Sequence, residues 1–177
     1  CAMKSIVLVG FMGTGKTTVG TALAKRLDMP VVDLDAQIVA QQHMEIDAIF
    51  AQQGEAAFRQ MEHDALCRAV LAEDTIISPG GGAVLKAENR AVMKARCHVV
   101  CLTARPEVIL HRVEADAIVR PVLERRAPGQ SKLERIVEVL NEREACYREA
   151  DLILDTSDAS VEVLTERIVQ WLEAQEP

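Results

Sequence analysis

Residues near the start of the chain form a motif that can bind phosphate. The segment Gly10-Phe11-Met12-Gly13-Thr14-Gly15-Lys16-Thr17 fits the pattern G-x-x-x-x-G-K-[ST]. In such a loop, glycines let backbone N–H groups turn toward phosphate oxygens, and the helix that follows adds a favourable dipole. Lys16 supplies positive charge to the β- and γ-phosphates, and the Thr17 hydroxyl can bind Mg²⁺. The motif therefore predicts a nucleoside triphosphate site.

The sequence on either side of the motif has the periodicity that a phosphate loop requires. Residues 5–9 are an apolar run ended by glycine, which predicts a buried strand. After the motif, Val19, Leu23 and Leu27 share one helical face. A glycine-rich turn that binds nothing is the alternative, and the strand–loop–helix context disfavours it.

Two aspartates, Asp33 and Asp35, follow the second apolar run. Alternate residues at a strand end point to opposite sides, so we expect Asp33 to face metal and phosphates and Asp35 to face the phosphoryl acceptor. A carboxylate beside an acceptor hydroxyl can take its proton. The alternative is that both aspartates cap the next helix. The nearby phosphate loop favours the catalytic interpretation, because ligands gather at the carboxyl ends of parallel strands.

Two arginines and a glycine run complete the candidate site. A pair of arginines, here Arg59 and Arg143, can hold a carboxylate through bidentate hydrogen bonds, which predicts a carboxylic-acid substrate. The run Gly80–Gly82 leaves backbone amides open to close approach by a ligand. The alternative for each arginine is a surface ion pair. That alternative is stronger for Arg59, which has Glu55 and Glu62 at helical spacing, than for Arg143.

Strand and helix patterns alternate along the chain, which predicts α/β crossover units and a parallel sheet covered on both faces. The predicted strands are residues 5–9, 31–32, 75–78, 98–102 and 152–154. The predicted helices are residues 17–27, 38–53, 55–72, 87–95, 106–113, 133–147 and 161–172. Residues 114–132 combine high charge with weak periodicity, so we expect a mobile segment there.

Composition excludes several classes of protein. A chain of 177 residues predicts one domain, spanning residues 3–177, with Cys1-Ala2 interpreted as a cloning remnant ahead of Met3. The net charge of −7 argues against nucleic acid or an anionic membrane as the main partner. No apolar run is long enough for a membrane span or a signal peptide. The spacing of Cys97 and Cys101 does not suggest zinc, so free thiols in a reducing cytoplasm are expected.

The assembled pattern resembles the shikimate kinase family over nearly the whole chain, from Lys4 to about Leu172. Beyond the phosphate loop, the resemblance is carried by Asp33-Leu34-Asp35, Ile49-Phe50…Gly54-Glu55…Phe58-Arg59…Glu62, Gly80–Gly82, Arg120-Pro121-Val122-Leu123 and Glu142-Arg143…Tyr147. The phosphate loop is shared with many families, whereas the other elements in this order are far more specific.

The resemblance implies a three-layer α/β P-loop kinase fold with a five-stranded parallel sheet, substrate-binding helices at about 35–62 and a mobile lid at about 114–132. It also implies a cytoplasmic enzyme that transfers the γ-phosphoryl group of ATP to the 3-hydroxyl of shikimate, with Mg²⁺, in the chorismate route to aromatic amino acids. A monomer is the expected state.

The resemblance further implies roles for individual residues. Those implied to bind the ATP phosphates are Gly13, Thr14, Gly15, Lys16, Thr17 and Thr18. Thr17 would bind Mg²⁺, with Asp33 helping through water, and Asp35 would be the base. Those implied to hold shikimate are Asp35, Arg59, Gly81, Gly82 and Arg143. Arg120 would reach the transferring phosphoryl group from the lid, as a third catalytic residue with Asp35 and Lys16.

Some positions depart from the family pattern. The segment Gln42-His43-Met44-Glu45-Ile46 lacks the usual small residues, and Ala145-Cys146 replaces the usual Pro-Leu near Arg143. Arg112 is a candidate neighbour of adenine, but Ser157–Ser160 lacks the arginine often found there, so base contacts stay unassigned. Two other functions remain as alternatives: a gluconate-type sugar-acid kinase, and a ligand-sensing module of the same fold without catalysis.

Overall fold

The computed structural model describes residues 3–116 and 121–175. Its strands are β1 (Ser5–Gly10), β2 (Val31–Asp33), β3 (Ile76–Ser78), β4 (Cys97–Thr103) and β5 (Leu152–Asp155). Its helices are α1 (Lys16–Leu27), α2 (Leu34–Gln42), α3 (Ile46–Gln53), α4 (Glu55–Ala69), α5 (Ala87–Arg96), α6 (Pro106–Ala115), α7 (Pro121–Glu124), α8 (Lys132–Tyr147) and α9 (Val161–Gln175). A 3₁₀ turn spans Ala83–Leu85.

The five strands form one parallel sheet in the order β2-β3-β1-β4-β5. Strand β1 lies at the centre and is buried along its whole length. Its side chains alternate between the two faces of the sheet, with Val7 and Val9 in one apolar cluster and Ile6 and Leu8 in the other. The predicted three-layer α/β fold is confirmed, because helices cover both faces.

The two faces of the sheet differ in what covers them. Helices α1 and α9 cover one face with a compact cluster that includes Val19, Leu23, Leu164 and Ile168. The remaining helices cover the other face, where the larger cluster extends from Leu34 in α2 to residues of α8. This second layer contains α2, α4 and α8, which carry Asp35, Arg59 and Arg143 of the candidate site.

The prediction of one helix over residues 38–53 is wrong. Helix α2 starts earlier, at Leu34, and ends at Gln42, and α3 begins at Ile46. Between them His43 adopts a left-handed backbone conformation, with φ of 55°. An L-residue in that conformation ends a helix, a role that usually falls to glycine. The apolar spacing continues across the break, which explains why periodicity alone did not detect it.

The charged segment 114–132 contains ordered structure in its described part. Helix α7 buries Leu123 completely. The Nε of Arg135, on α8, donates a hydrogen bond of 3.0 Å to the carbonyl of Val122. Residues 117–120 lie outside the described residues, so the motion expected of this segment stays a prediction.

The cysteines of the described chain are free thiols, as predicted. Burial in the sheet raises the pKa of Cys97 to about 11 and that of Cys101 to about 12, so both thiols stay protonated at neutral pH. Within residues 3–116 and 121–175, histidine, cysteine and acidic side chains nowhere cluster in threes as a preformed metal site would. None of the described helices is both long and apolar enough to cross a membrane.

Candidate active site

A single cavity of about 670 Å³ opens where β1, β2 and β3 end and their following segments begin. Parallel strands bring their carboxyl ends to one edge of the sheet, so residues far apart in sequence meet there. The predicted site residues that line this cavity are Gly13, Thr14, Gly15, Lys16, Thr17, Thr18, Asp33, Asp35, Arg59, Gly81, Gly82 and Arg143. The fold therefore brings together every predicted site residue that lies in the described chain.

The phosphate loop connects β1 to α1 and keeps its charged groups on the cavity side. The Thr14 hydroxyl donates a hydrogen bond of 2.7 Å to the Phe11 carbonyl, so its side chain braces the loop from within. The Lys16 ammonium donates to the carbonyls of Gly10 and Phe11, which keeps the positive charge inside the loop. Thr17 and Thr18 are exposed at the first turn of α1. A polyphosphate can reach these groups and the helix N-terminus together.

The outer side of the loop is fixed to the rest of the sheet by Arg112 and Thr156. The Arg112 guanidinium donates to the Gly13 carbonyl at 3.0 Å and to the Thr156 carbonyl at 2.9 Å. The Thr156 hydroxyl in turn donates to the Thr14 carbonyl at 2.8 Å. Arg112, which the sequence predicts as a candidate neighbour of adenine, thus lies beside the phosphate loop.

The predicted placement of the two aspartates at alternate positions of one strand end is wrong. Strand β2 ends at Asp33, and Asp35 is already in the first turn of α2. Oδ1 of Asp33 accepts a hydrogen bond of 3.1 Å from the Ala36 amide, so Asp33 caps the helix, which was the alternative interpretation. Both carboxylates nevertheless line the cavity, because a capping residue and its first turn share one edge of the sheet.

Asp35 has the environment of a proton acceptor. Its Oδ1 is buried and has no hydrogen-bond partner among the described residues. Burial raises the pKa of Asp35, and the charge of Asp33 raises it further, while Arg59 and Lys16 act in the opposite direction. A raised pKa brings the carboxyl nearer to the pH at which it can accept and release a proton.

Arg59 lies on α4 between two glutamates, and both form ion pairs with it. Glu55 is exposed and 3.6 Å away, whereas Glu62 is 1% exposed and 3.1 Å away. Burial raises the pKa of Glu62 to about 7, against the opposing effect of Arg59. The ion pair that was the alternative for Arg59 is therefore present. Arg59 also lines the cavity, and its guanidinium has enough N–H donors to pair with the glutamates and still bind a ligand.

The glycine run fits between these charged side chains. A Cβ on Gly80 would lie 2.6 Å from Oδ1 of Asp35 and 2.8 Å from Oε2 of Glu62. A Cβ on Gly82 would lie 2.5 Å from the Arg59 guanidinium. A side chain at either position would displace the charged ends of Asp35, Glu62 or Arg59.

Arg143 reaches the same glycine run from α8. It is 9% exposed, donates a hydrogen bond of 3.4 Å to the Gly81 carbonyl and lies over the ring of Phe11 at 5.5 Å. Because Gly81 and Gly82 are adjacent, the guanidinium groups of Arg143 and Arg59 flank one turn of backbone. Two guanidinium groups so placed can hold one carboxylate.

Comparison with known proteins agrees with this geometry. The sequence model of the family described as shikimate kinase matches residues 12–173. The chain belongs to the shikimate kinase family. The shikimate kinase of Bacillus cytotoxicus is 40% identical over 168 residues, which cover 95% of this chain and 98% of that protein. That of Geobacter metallireducens is 39% identical over 174 residues, covering 98% and 94%.

Solved structures of shikimate kinases have the same fold. The enzyme from Bacteroides thetaiotaomicron superimposes with a TM-score of 0.86 at 30% identity, over 98% of this chain and 99% of that one. The enzyme from Acinetobacter baumannii, in complex with shikimate, gives a TM-score of 0.87 at 31% identity, over 98% and 95%. The nearly complete coverage in both directions shows that the family likeness applies to the domain as a whole.

One residue implied by the shikimate kinase resemblance, Arg120, lies outside the described residues, and its role stays a prediction. One buried residue beside the site has no predicted role. The sequence marks Glu62 as a helical neighbour of Arg59 and as part of the family resemblance, yet in the structure it occupies a core position of α4. The signal was its spacing, since Glu62 follows Phe58 by four residues and precedes Leu66 by four, on the apolar face of the helix. An acid at such a position is rarely buried without a function or a partner.

Proposed function

We propose that this protein transfers the γ-phosphoryl group of ATP to the 3-hydroxyl of shikimate, giving shikimate 3-phosphate and ADP. The observation that carries the proposal is the content of one cavity: a phosphate loop, the Asp35 carboxyl with its unpartnered oxygen, and Arg59 with Arg143 around one glycine turn. Membership of the shikimate kinase family supports shikimate as the acid that fits it.

The nucleotide end of the cavity binds the phosphates of ATP. Backbone amides of residues 13–18 and the N-terminus of α1 supply hydrogen-bond donors and a favourable dipole for the polyphosphate. Lys16 supplies the point charge for the β- and γ-phosphates, and we expect its ammonium to exchange the carbonyls of Gly10 and Phe11 for phosphate oxygens.

Thr17 and Asp33 fit a magnesium ion bound together with ATP. Both offer oxygen ligands on the same cavity, and Asp33 uses Oδ1 for its helix cap, which leaves Oδ2 for a water of the ion. Mg²⁺ in kinases is bound by one or two protein oxygens plus phosphates and water, so a preformed cluster of protein ligands is not needed. When bound, the ion neutralises charge on the β- and γ-phosphates.

The acceptor end orients shikimate through its carboxylate. Arg59 and Arg143 hold that group, and Gly81 and Gly82 let the ring approach the backbone. With its carboxylate anchored there, the substrate presents hydroxyl groups toward Asp35. Asp35 accepts the proton of the 3-hydroxyl while the oxygen of that hydroxyl bonds to the γ-phosphorus. At the same time the bond breaks between the γ-phosphorus and the oxygen that bridges it to the β-phosphate, and ADP leaves.

Charge that spreads over the transferring phosphoryl group is stabilised by positive groups in the cavity. Lys16 is one of them, and Arg120, arriving from the segment 114–132, is proposed as a second. Closure of that segment would also exclude water and prevent idle hydrolysis of ATP. We further propose that the enzyme acts as a monomer, because the described chain alone supplies both ends of the cavity, and that it acts in the cytoplasm, as the family resemblance implies.

The test is the release of ADP from Mg-ATP with shikimate, gluconate, a nucleoside monophosphate, or no acceptor. We expect release that depends on shikimate alone. Release with gluconate alone would favour a sugar-acid kinase, and release without acceptor would identify an uncoupled ATPase. ATP binding without release in any mixture would indicate a ligand-sensing module, and each of these results would overturn the proposal.

A further inference from the structure

The turn that carries the glycine run is held from outside the cavity. Inside the turn there are three backbone hydrogen bonds, from Ala83 to Gly80 at 3.0 Å, from Leu85 to Gly82 at 3.2 Å and from Lys86 to Ala83 at 3.4 Å. Residues 80–82 have no side chains with which to anchor the turn to its neighbours. The turn is positioned by the burial of Ala83 and Val84, by the hydrogen bond from Arg143 to the Gly81 carbonyl, and by groups that bind the carbonyls of residues 83–85.

Asn89, in the first turn of α5, is one of these groups. It is 1% exposed, and its Nδ2 donates a hydrogen bond of 2.9 Å to the Ala83 carbonyl. Its Oδ1 is 2.6 Å from Nδ1 of His63, which must donate because an amide oxygen can only accept. His63 lies on α4, four residues after Arg59 and next to Glu62. Asn89 thus joins the turn to the helix that bears the first arginine.

Arg90, the next residue, joins the same turn to the helix that bears the second arginine. Its guanidinium donates to the Val84 carbonyl at 2.8 Å and to the Leu85 carbonyl at 3.0 Å. The same guanidinium lies 3.4 Å from Sγ of Cys146 and forms an ion pair of 2.5 Å with Glu149. Cys146 is three residues beyond Arg143, within the last turn of α8.

We propose that Asn89 and Arg90 are positioning residues for the phosphoryl acceptor. Together they fix the glycine turn against α4 on one side and α8 on the other, and so set the separation of Arg59 and Arg143 that one carboxylate must match. Neither residue lines the cavity, so neither touches the substrate. The inference rests on the proposed function, since it takes shikimate as the acid held by the two arginines.

Two conservative substitutions test this role. Asn89→Asp keeps the size and the oxygen that faces His63, but it replaces the donor to Ala83 with an acceptor. Arg90→Lys keeps a positive charge, but lysine has one nitrogen in place of the two that face Glu149 (Nε) and the carbonyls of the turn (Nη1) at once. For each variant we expect the KM for shikimate to rise about five- to tenfold, which is the size expected for the loss of one hydrogen bond, while the KM for ATP changes less than about twofold.

The matched control is Arg96→Lys, the same exchange at an exposed position of α5. It should leave both KM values unchanged. Thermal unfolding of each variant shows that the enzyme assayed is folded, and Arg90→Lys carries the test alone if Asn89→Asp does not fold. If the variants have the turnover of the wild type and an unchanged KM for shikimate, this inference alone is overturned. It is also overturned if their KM for ATP rises as much as their KM for shikimate. Absence of shikimate-dependent turnover in the wild type overturns the proposed function and this inference together.

Discussion

The two ends of the active-site cavity are built by different means. The proposed nucleotide end is one continuous segment between β1 and α1, and we expect it to act largely through backbone amides and a single lysine. The acceptor end is assembled from α2, α4, the glycine turn and α8, and it acts through side chains whose charges influence one another. A local motif can therefore define the first, whereas the second exists only because the sheet brings distant segments to one edge.

This difference predicts that changes at the acceptor end can remove chemistry while leaving nucleotide binding intact. For Asp35→Asn we expect kcat to fall by about 10²–10⁴-fold, the range associated with loss of a positioned base. Binding of ATP, measured by calorimetry, should stay close to that of the wild type. Asp47→Asn, an exposed aspartate of α3, is the control and should keep full activity.

The comparison is sharpened by Lys16→Met at the nucleotide end, which should weaken ATP binding and turnover together. If Asp35→Asn retained nearly full kcat, Asp35 would not be the base. If Asp35→Asn lost ATP binding as Lys16→Met does, the two ends of the cavity would not be separable.

The next effect in size concerns the carboxylate site. Arg143→Lys keeps a positive charge but loses the planar pair of donors, so we expect the KM for shikimate to rise about 10–100-fold with little change in the KM for ATP. Steady-state kinetics with each substrate varied in turn measure both constants. Arg148→Lys, at the end of the same helix with a side chain 72% exposed, is the matched control. An effect confined to ATP would place Arg143 at the nucleotide end instead.

A third prediction concerns the pH dependence of stability at the acceptor end. The Glu62 carboxyl ordinarily loses its proton near pH 4.5, and in the folded protein its pKa is about 7. Between these values the folded state binds more protons than the unfolded state, so the stability contribution of Glu62 decreases as pH rises from about 4.5 to 7. The decrease is on the order of 3 kcal/mol.

Glu62→Gln removes this titration, since glutamine resembles the protonated acid. Denaturant unfolding at several pH values should show the wild type losing stability relative to Glu62→Gln as pH rises through that window. A difference between the two proteins that did not vary with pH would show that Glu62 titrates at an ordinary pKa. The control is Glu88→Gln, the same substitution at an exposed acid, which gives the pH dependence of the free energy of unfolding when no buried carboxyl is changed.

The smallest expected effect lies at the break between α2 and α3. His43→Gly should raise the free energy of unfolding by about 0.5–1 kcal/mol, because glycine adopts the left-handed conformation of His43 without the steric cost of a Cβ. His43→Ala keeps that cost and should give no such gain. Thermal unfolding of the three proteins makes the comparison, and a destabilised glycine variant would mean that the imidazole makes a contact that the backbone argument ignores.

The nucleotide end and the order of the elements could be predicted from sequence because their signals are local. A phosphate loop needs eight consecutive residues, and a buried strand such as β1 is recognisable from its own composition. The sequence predicts Arg59 and Arg143 as a pair for a carboxylate and Asp35 as a base, and the resemblance to a family assigns all three to one substrate. Periodicity could not show that a helix ends at His43, because backbone conformation at one residue leaves no trace in the apolar spacing.

Other features depend on contacts that sequence does not encode locally. The capping role of Asp33 depends on β2 ending one residue before α2 begins, and boundaries of this kind shift by a residue or two without altering the pattern. The burial of Glu62 follows from the packing of α4 against the glycine turn. The contacts of Asn89 and Arg90 link α5 to α4 and α8, and no spacing along the chain indicates them.

The ion pair between Arg59 and the buried carboxyl of Glu62 has a consequence for the thermodynamics of binding. An anionic ligand held by Arg59 adds negative charge beside a carboxyl whose pKa burial has already raised to about 7, and we expect it to raise the pKa of Glu62 further. The complex therefore takes up a fraction of a proton from the solution as it forms. The heat of binding then depends on the ionisation enthalpy of the buffer, and affinity for the acid increases as the solution becomes slightly more acidic.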